Sequence, residues 1–143
     1  MTTGTEISEI HCYVLTLVDK YPTVREVWLF GSQANGTATL DSDWDLLIFS
    51  ESDIFKLLKK DLTIQNEKVD LLVTFGQVAE AKKPWGEEKS LNLDDLKWTI
   101  TGNGKATYRS SKFLRESSAG EDMEFGQFKT EILVAIRLWP TLQ

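Results

Sequence analysis

Three aspartates and one glycine–serine pair carry the chemistry open to this chain. Gly31-Ser32 ends the run Leu29-Phe30-Gly31-Ser32, ten residues intervene, and Asp43-Trp44-Asp45-Leu46-Leu47 follows; Asp70 comes later, inside Val69-Asp70-Leu71-Leu72-Val73. A Gly-Ser pair leaving a strand puts small residues where backbone N–H groups can approach an anion, and a helix beginning there adds a favourable dipole, so phosphate is the natural ligand. Asp43 and Asp45, two apart at the start of a strand, send both carboxylates to one face of a sheet. Parallel carboxylates repel each other without a cation between them. Hard oxygen ligands select Mg²⁺ or Mn²⁺, and Mg²⁺ commonly keeps waters and takes its remaining ligands from substrate phosphates. Asp70 sits in an apolar strand, where a lone charge would cost several kcal/mol. It needs a partner, either a metal site shared with Asp43 and Asp45 or a Lys or Arg. Three acids on adjacent strands facing a phosphate-binding turn form the layout of two-metal phosphoryl chemistry. Singly, each residue has an ordinary reading, since an Asp-x-Asp at a strand end is commonly solvated and Ser32 can cap a helix. The joint spacing is what points to a site.

The elements that must position these residues are legible on either side of them. Ile7, Ile10, Tyr13, Val14, Leu17 and Val18 recur at three- and four-residue steps, which predicts a helix with one buried face, ended near Pro22. Residues 25–30 read as a first strand stopped by Gly31, and 44–49 and 68–75 as a second and third. Ser32 to Leu40 suits a loop or short helix. Residues 50–53 offer an N-cap before a helix over Ile54, Leu57 and Leu58, with Lys59-Lys60 at its end. This order is α/β or α+β, with helices covering a central sheet. Ala79 to Leu93 shows no clean period around Lys83-Pro84-Trp85-Gly86 and reads as a loop. Residues 96–108 alternate around Gly102-Asn103-Gly104 and predict a hairpin. After a polar stretch from Glu116 to Asp122, Phe125, Phe128, Ile132, Ile136 and Trp139 share one face of a predicted last helix.

Composition narrows the function classes. A chain of 143 residues with 41% hydrophobic and 27% charged residues can bury one core without disulfides, and its one cysteine could not form an internal disulfide. No apolar run approaches a membrane span and no signal-like N-terminus is present, so we expect a cytoplasmic protein without membrane contact. The net charge of −6, of which residues 41–70 carry −4, makes nucleic acid an unpromising partner. Gly102-Asn103-Gly104-Lys105-Ala106-Thr107 resembles a phosphate-binding loop but has Ala106 where Ser or Thr is required, and strand-like alternation follows it. His11 reads as a surface residue and Cys12 as a small, semi-buried hydrophobe. Trp28 and Trp139 occupy core positions, and Trp44 packs on the face opposite the acids. Trp85 could pack or touch a ligand.

Gly31-Ser32, the ten-residue gap, Asp43-Trp44-Asp45 and Asp70 together resemble the signature of the DNA polymerase β superfamily of nucleotidyltransferases. The run Gly31-Ser32-Gln33-Ala34-Asn35-Gly36-Thr37-Ala38, followed by Ser42-Asp43-Trp44-Asp45-Leu46, is similar to its minimal nucleotidyltransferase branch. The resemblance covers roughly residues 10 to 75. It implies a nucleotidyltransferase fold, a mixed central β-sheet flanked by helices, to which this chain adds a C-terminal hairpin and helix. The whole is one domain over 1–143, with a core at about 7–77 and an extension at about 78–143. Gly31 and Ser32 would hold the nucleotide's terminal phosphates, Asp43 and Asp45 two metal ions (Mg²⁺ or Mn²⁺), and Asp70 would complete the metal site and help deprotonate the acceptor. The implied reaction moves a nucleoside monophosphate, most plausibly AMP from ATP, to a hydroxyl and releases pyrophosphate. In that branch some members modify a tyrosine of an all-helical HEPN partner protein and others modify small molecules such as aminoglycosides. This sequence does not choose between those acceptors, and a homo-oligomer stays open. Many members carry Arg directly after the Gly-Ser pair, where this chain has Gln33, and Asn35 stands at another position that is often basic. The alternative is a noncatalytic module that keeps the fold to bind a nucleotide or partner.

Overall fold

The computed structural model describes residues 3–39, 41–114 and 127–140. Helix α1 (Thr3–Lys20) buries Ile10, Val14 and Leu17, the stripe its periodicity announces, and carries Lys20 in its last turn. β1 (Val24–Phe30) follows. Its Val27, Trp28 and Leu29 are all buried, as expected of a strand covered on both faces. A five-residue helix α2 (Gly31–Asn35) leads toward β2 (Trp44–Ser50), then α3 (Phe55–Lys60) and β3 (Val69–Phe75). Asp53 Oδ1 accepts the Phe55 N–H at 3.0 Å at the entry to α3.

Residues 79–93, read above as a loop, instead form two short antiparallel strands, β4 (Glu80–Lys82) and β5 (Ser90–Asn92), before α4 (Leu93–Leu96). The Asn92 side chain caps α4 by accepting from the Asp94 and Asp95 N–H groups. The predicted hairpin is present as β6 (Thr99–Gly102) and β7 (Lys105–Leu114).

The predicted last helix is not there. Gln127–Trp139 is a strand, β8, paired antiparallel with both β7 and β1. Phe128, Ile132, Ile136 and Trp139 fit a helical stripe, but Ile132, Leu133, Val134, Ala135 and Ile136 are apolar at every step and fit a two-residue period equally well. Pairing with two strands settles the choice. Leu133 and Ala135 face the core, while Ile132, Val134 and Ile136 alternate onto an exposed face. Phe125 and the Glu116–Asp122 stretch lie outside the described residues.

The described strands form one sheet in the order β5-β4-β3-β2-β1-β8-β7-β6. Only β2 and β3 run parallel, joined by the α3 crossover, which makes the sheet mixed. Strand alternation splits the core in two. Val27, Leu29, Leu46, Ile48, Leu71 and Val73 pack with α1, Leu58 and Ile64 on one face, and Trp44 joins them as expected. On the other face Trp28, Leu47 and Leu72 meet Ala81, Ala106, Tyr108 and Ala135. Trp98 closes this second cluster with its ring edge-on to Trp28 at 5.4 Å and stacked on Tyr108 at 6.0 Å. Among the described residues no helix is long and apolar enough to cross a membrane.

Candidate functional site

The second face of the sheet ends in carboxylates. β2 and β3 pair in register with Asp45 opposite Asp70, and partners in a parallel ladder project to the same side. The two acids therefore lie side by side, continuing the line of Leu47 and Leu72 out of the core. On the other flank β1 pairs with β2 so that Phe30 is opposite Asp45, which brings the next residue, Gly31, onto the carboxylate. Gly31 has φ +73°, and a Cβ built there would collide with Asp45 Oδ2. Only glycine meets both conditions, the left-handed backbone and the direct approach to Asp45. The glycine of the Gly-Ser pair is thus fixed by its neighbour across the sheet.

Burial and the neighbouring Asp70 charge push the Asp45 carboxyl up to about 6, with a smaller push from Asp43, while the Lys89 ammonium acts in the opposite sense. Asp43 precedes β2 and is partly exposed. The start of β2 is anchored beside β3 by the Trp44 N–H, which donates to the Lys68 carbonyl at 2.7 Å. Gln33 Nε2 donates to the Ser42 carbonyl at 3.3 Å and so ties α2 to the segment that delivers Asp43. Ser32 lies within α2 and is not its cap; the capping position is Phe30, without a side-chain bond.

Asp70 has a partner that the strand sequence could not name. Lys83 Nζ donates to Asp70 Oδ1 at 2.7 Å, both side chains being mostly buried. The ammonium comes from the turn between β4 and β5, closed by the Lys83 N–H donating to the Lys89 carbonyl at 2.9 Å. The Lys or Arg partner left open above is therefore Lys83.

Two further residues shape the Gly-Ser turn, both tied to the C-terminal strands. The Gly31 N–H donates to Tyr108 Oη at 2.9 Å, and burial holds that phenol above its ordinary range. Asn35 Nδ2 donates to the carbonyls of Gly31 (2.8 Å) and Val134 (3.1 Å), while its Oδ1 accepts the Val134 N–H at 2.9 Å. Asn35 thus stands as an extra rung between α2 and β8. Lys83, Tyr108 and Lys89 were missed as site residues because each arrives from a distant element. The one local signal was that Lys83 sits in a Pro-Trp-Gly turn. His11 is exposed as expected, whereas Cys12, expected semi-buried, is exposed on α1.

Among the described residues no three His, Cys, Asp or Glu side chains stand in a ready-made metal cage. What the arrangement offers is a pair, Asp45 and Asp70, with Asp43 adding its charge. Burial first, and then the Asp70 charge, disfavour the ionised Asp45 carboxyl, and a cation between the two acids would offset both. Two neighbouring carboxylates suit a hard divalent ion, which takes oxygen ligands and does not need an all-protein cage. The residues present fit Mg²⁺ or Mn²⁺ on that ground.

Comparison with known proteins bears on the family. The family model described as nucleotidyltransferase domain matches residues 13–117, from α1 into the residues after β7. The chain is also 26% identical over 129 residues to protein adenylyltransferase MntA of Aphanizomenon flos-aquae (strain 2012/KM1/D3), covering 90% of this chain and 79% of that protein.

Proposed function

The chain belongs to the nucleotidyltransferase domain family, and from that premise we propose that it transfers AMP from ATP to a hydroxyl group of a protein, in the cytoplasm, with release of pyrophosphate. One observation carries the reading: Asp45 and Asp70 stand in register on parallel neighbours, with the bare backbone of Gly31 pressed against Asp45. ATP as donor and a protein as acceptor are supported by the similarity to a protein adenylyltransferase. In this reading Gly31 and Ser32 receive the terminal phosphates, and the missing Cβ lets Asp45 stand directly against the turn that receives them. Asp43, Asp45 and Asp70 would hold Mg²⁺ or Mn²⁺, which supplies charge to polarise the α-phosphate and neutralise the leaving group. Asp70 takes the acceptor's proton as its oxygen bonds to the α-phosphorus. The bond from that phosphorus to the bridging oxygen breaks, and the electron pair leaves with pyrophosphate. Tyr108 and Asn35 keep the turn in place, so that little reorganisation accompanies the reaction.

Incubation with α-labelled ATP, Mg²⁺ and candidate protein acceptors tests this. Label should appear covalently on a protein, with an equal amount of pyrophosphate, and should vanish when Asp43 and Asp45 are both replaced by Asn. Release of ADP and orthophosphate without labelled protein would leave a hydrolase. Nucleotide binding without turnover would leave a noncatalytic module.

A further inference from the structure

The pairing of Lys83 with Asp70 sets two demands against each other. An ammonium 2.7 Å from Asp70 Oδ1 occupies the space where that oxygen would meet a divalent ion. Yet α2, on which a phosphate chain would rest, carries no basic residue at all. Two cations reach the acids from the turn between β4 and β5: Lys83 on Asp70, and Lys89, whose charge is felt at Asp45.

That turn is shaped around the Lys83 stem. Gly86 has φ +80°, and a Cβ on it would come within 3.1 Å of Lys83 Cε, so glycine leaves the lane along which the side chain runs. Among the described residues Asp70 is the only hydrogen-bond acceptor of the ammonium, which can donate three bonds. A cleft of about 400 Å³ bordered by Asp70, Lys83, Trp85, Gly86 and the Gln65–Glu67 segment opens beside the pair, so the Lys83 stem is not packed in on that side. A lysine is a compact charge on a flexible four-carbon stem, suited to serving two anions in turn.

We propose that Lys83 works from two positions, neutralising Asp70 in the metal-free protein and moving to the phosphate chain of the nucleotide when a divalent cation takes Asp70. In the first position the ammonium offsets the Asp70 charge while the site is empty. The second supplies the charge that α2 lacks. This deepens the nucleotidyl-transfer reading and rests on it, but its test does not depend on turnover.

Binding of Mn²⁺ alone, followed by electron paramagnetic resonance of the free ion, and of a non-hydrolysable ATP analogue with Mn²⁺, followed by calorimetry, should move in opposite directions in Lys83→Gln. Mn²⁺ alone should bind about threefold tighter, since its competitor is gone, and the analogue about tenfold weaker, since a charge-assisted contact to phosphate is lost. A second measurement uses the unmodified protein. Acetylation of Lys83, read by peptide mass spectrometry, should rise about threefold when Mn²⁺ breaks the pair and fall again when the analogue is added. An unchanged or weaker Mn²⁺ affinity, an unchanged analogue affinity, or labelling that is the same in all three states would overturn the proposal. Tight binding of Mn²⁺ and analogue with no transfer to any acceptor would overturn the transfer reading and leave Lys83 in both positions.

Discussion

Two aspartates on opposite faces of the sheet have been driven in opposite directions. Asp61, at the end of α3, is surrounded by donors: Lys20 Nζ at 2.8 Å and Tyr21 Oη at 2.5 Å on one oxygen, and the Thr63 N–H at 3.0 Å and hydroxyl at 2.6 Å on the other. The Lys20 ammonium, then Thr63 and Tyr21, hold its carboxyl well below the usual carboxylate range. Asp45 is partly buried and has another acid beside it, and is pushed up to about 6. The first carboxylate is satisfied by the protein and fastens α1 to the α3–β3 connection. The second is left in want of a cation. What separates the two is the supply of donors: Asp61 has four hydrogen bonds to offset its charge, whereas Asp45 meets burial and a second acid.

The largest expected effect breaks the pair apart by activity. Asp45→Asn should lower the transfer rate by about 10³-fold or more, the scale of losing a group that acts on transition-state charge, while leaving urea stability unchanged or higher. Asp61→Asn should do the reverse. It should cost about 2 kcal/mol in a urea melt through weakened charge-assisted hydrogen bonds, with kcat of the folded fraction unaltered. A Tyr108→Phe variant should lose about 1 kcal/mol as the Gly31 N–H loses its acceptor, with a rise in KM for ATP larger than the fall in kcat.

The smallest effect is in the pH dependence of metal-free stability, and its two parts have opposite signs. Asp45 binds its proton more tightly in the folded than in the unfolded chain, so stability should fall as pH rises from about 4 to about 6. Asp61 binds its proton less tightly when folded, so its contribution is complete above its ordinary value and is lost as pH falls below about 4. Urea melts across pH 3 to 7 should show the first slope vanish in Asp45→Asn and the second in Asp61→Asn. If both slopes persist in both variants, the contrast between the two acids is wrong.

Much of this site is legible along the chain because its signals are local. The helical stripe of α1, the β-rich runs of β1, β2 and β3, and the spacing from Gly31 to Asp45 each depend on residues a few positions apart, where periodicity and turn chemistry act directly. The burial of Asp70 on an apolar strand even announced that it must have a partner. The strand at β8 was open to a better reading, since Thr130, Ile132, Val134 and Ile136 place β-branched residues at every second position. A helix was inferred there because apolar residues on both faces satisfy either period.

What the sequence by itself determined is therefore which residues could do chemistry and the short elements that carry them. The tertiary structure alone decided which distant groups complete them: Lys83 on Asp70, Tyr108 under Gly31, and Asn35 bridged to Val134 across 99 residues. The reason is physical. Strand pairing joins backbone groups with little regard to separation along the chain, so a strand's neighbours follow from which edges remain free and not from a pattern within the strand. Once β8 had taken the free edge of β1, C-terminal residues came to hold the Gly31 turn of a candidate site whose acids lie in the first half of the chain.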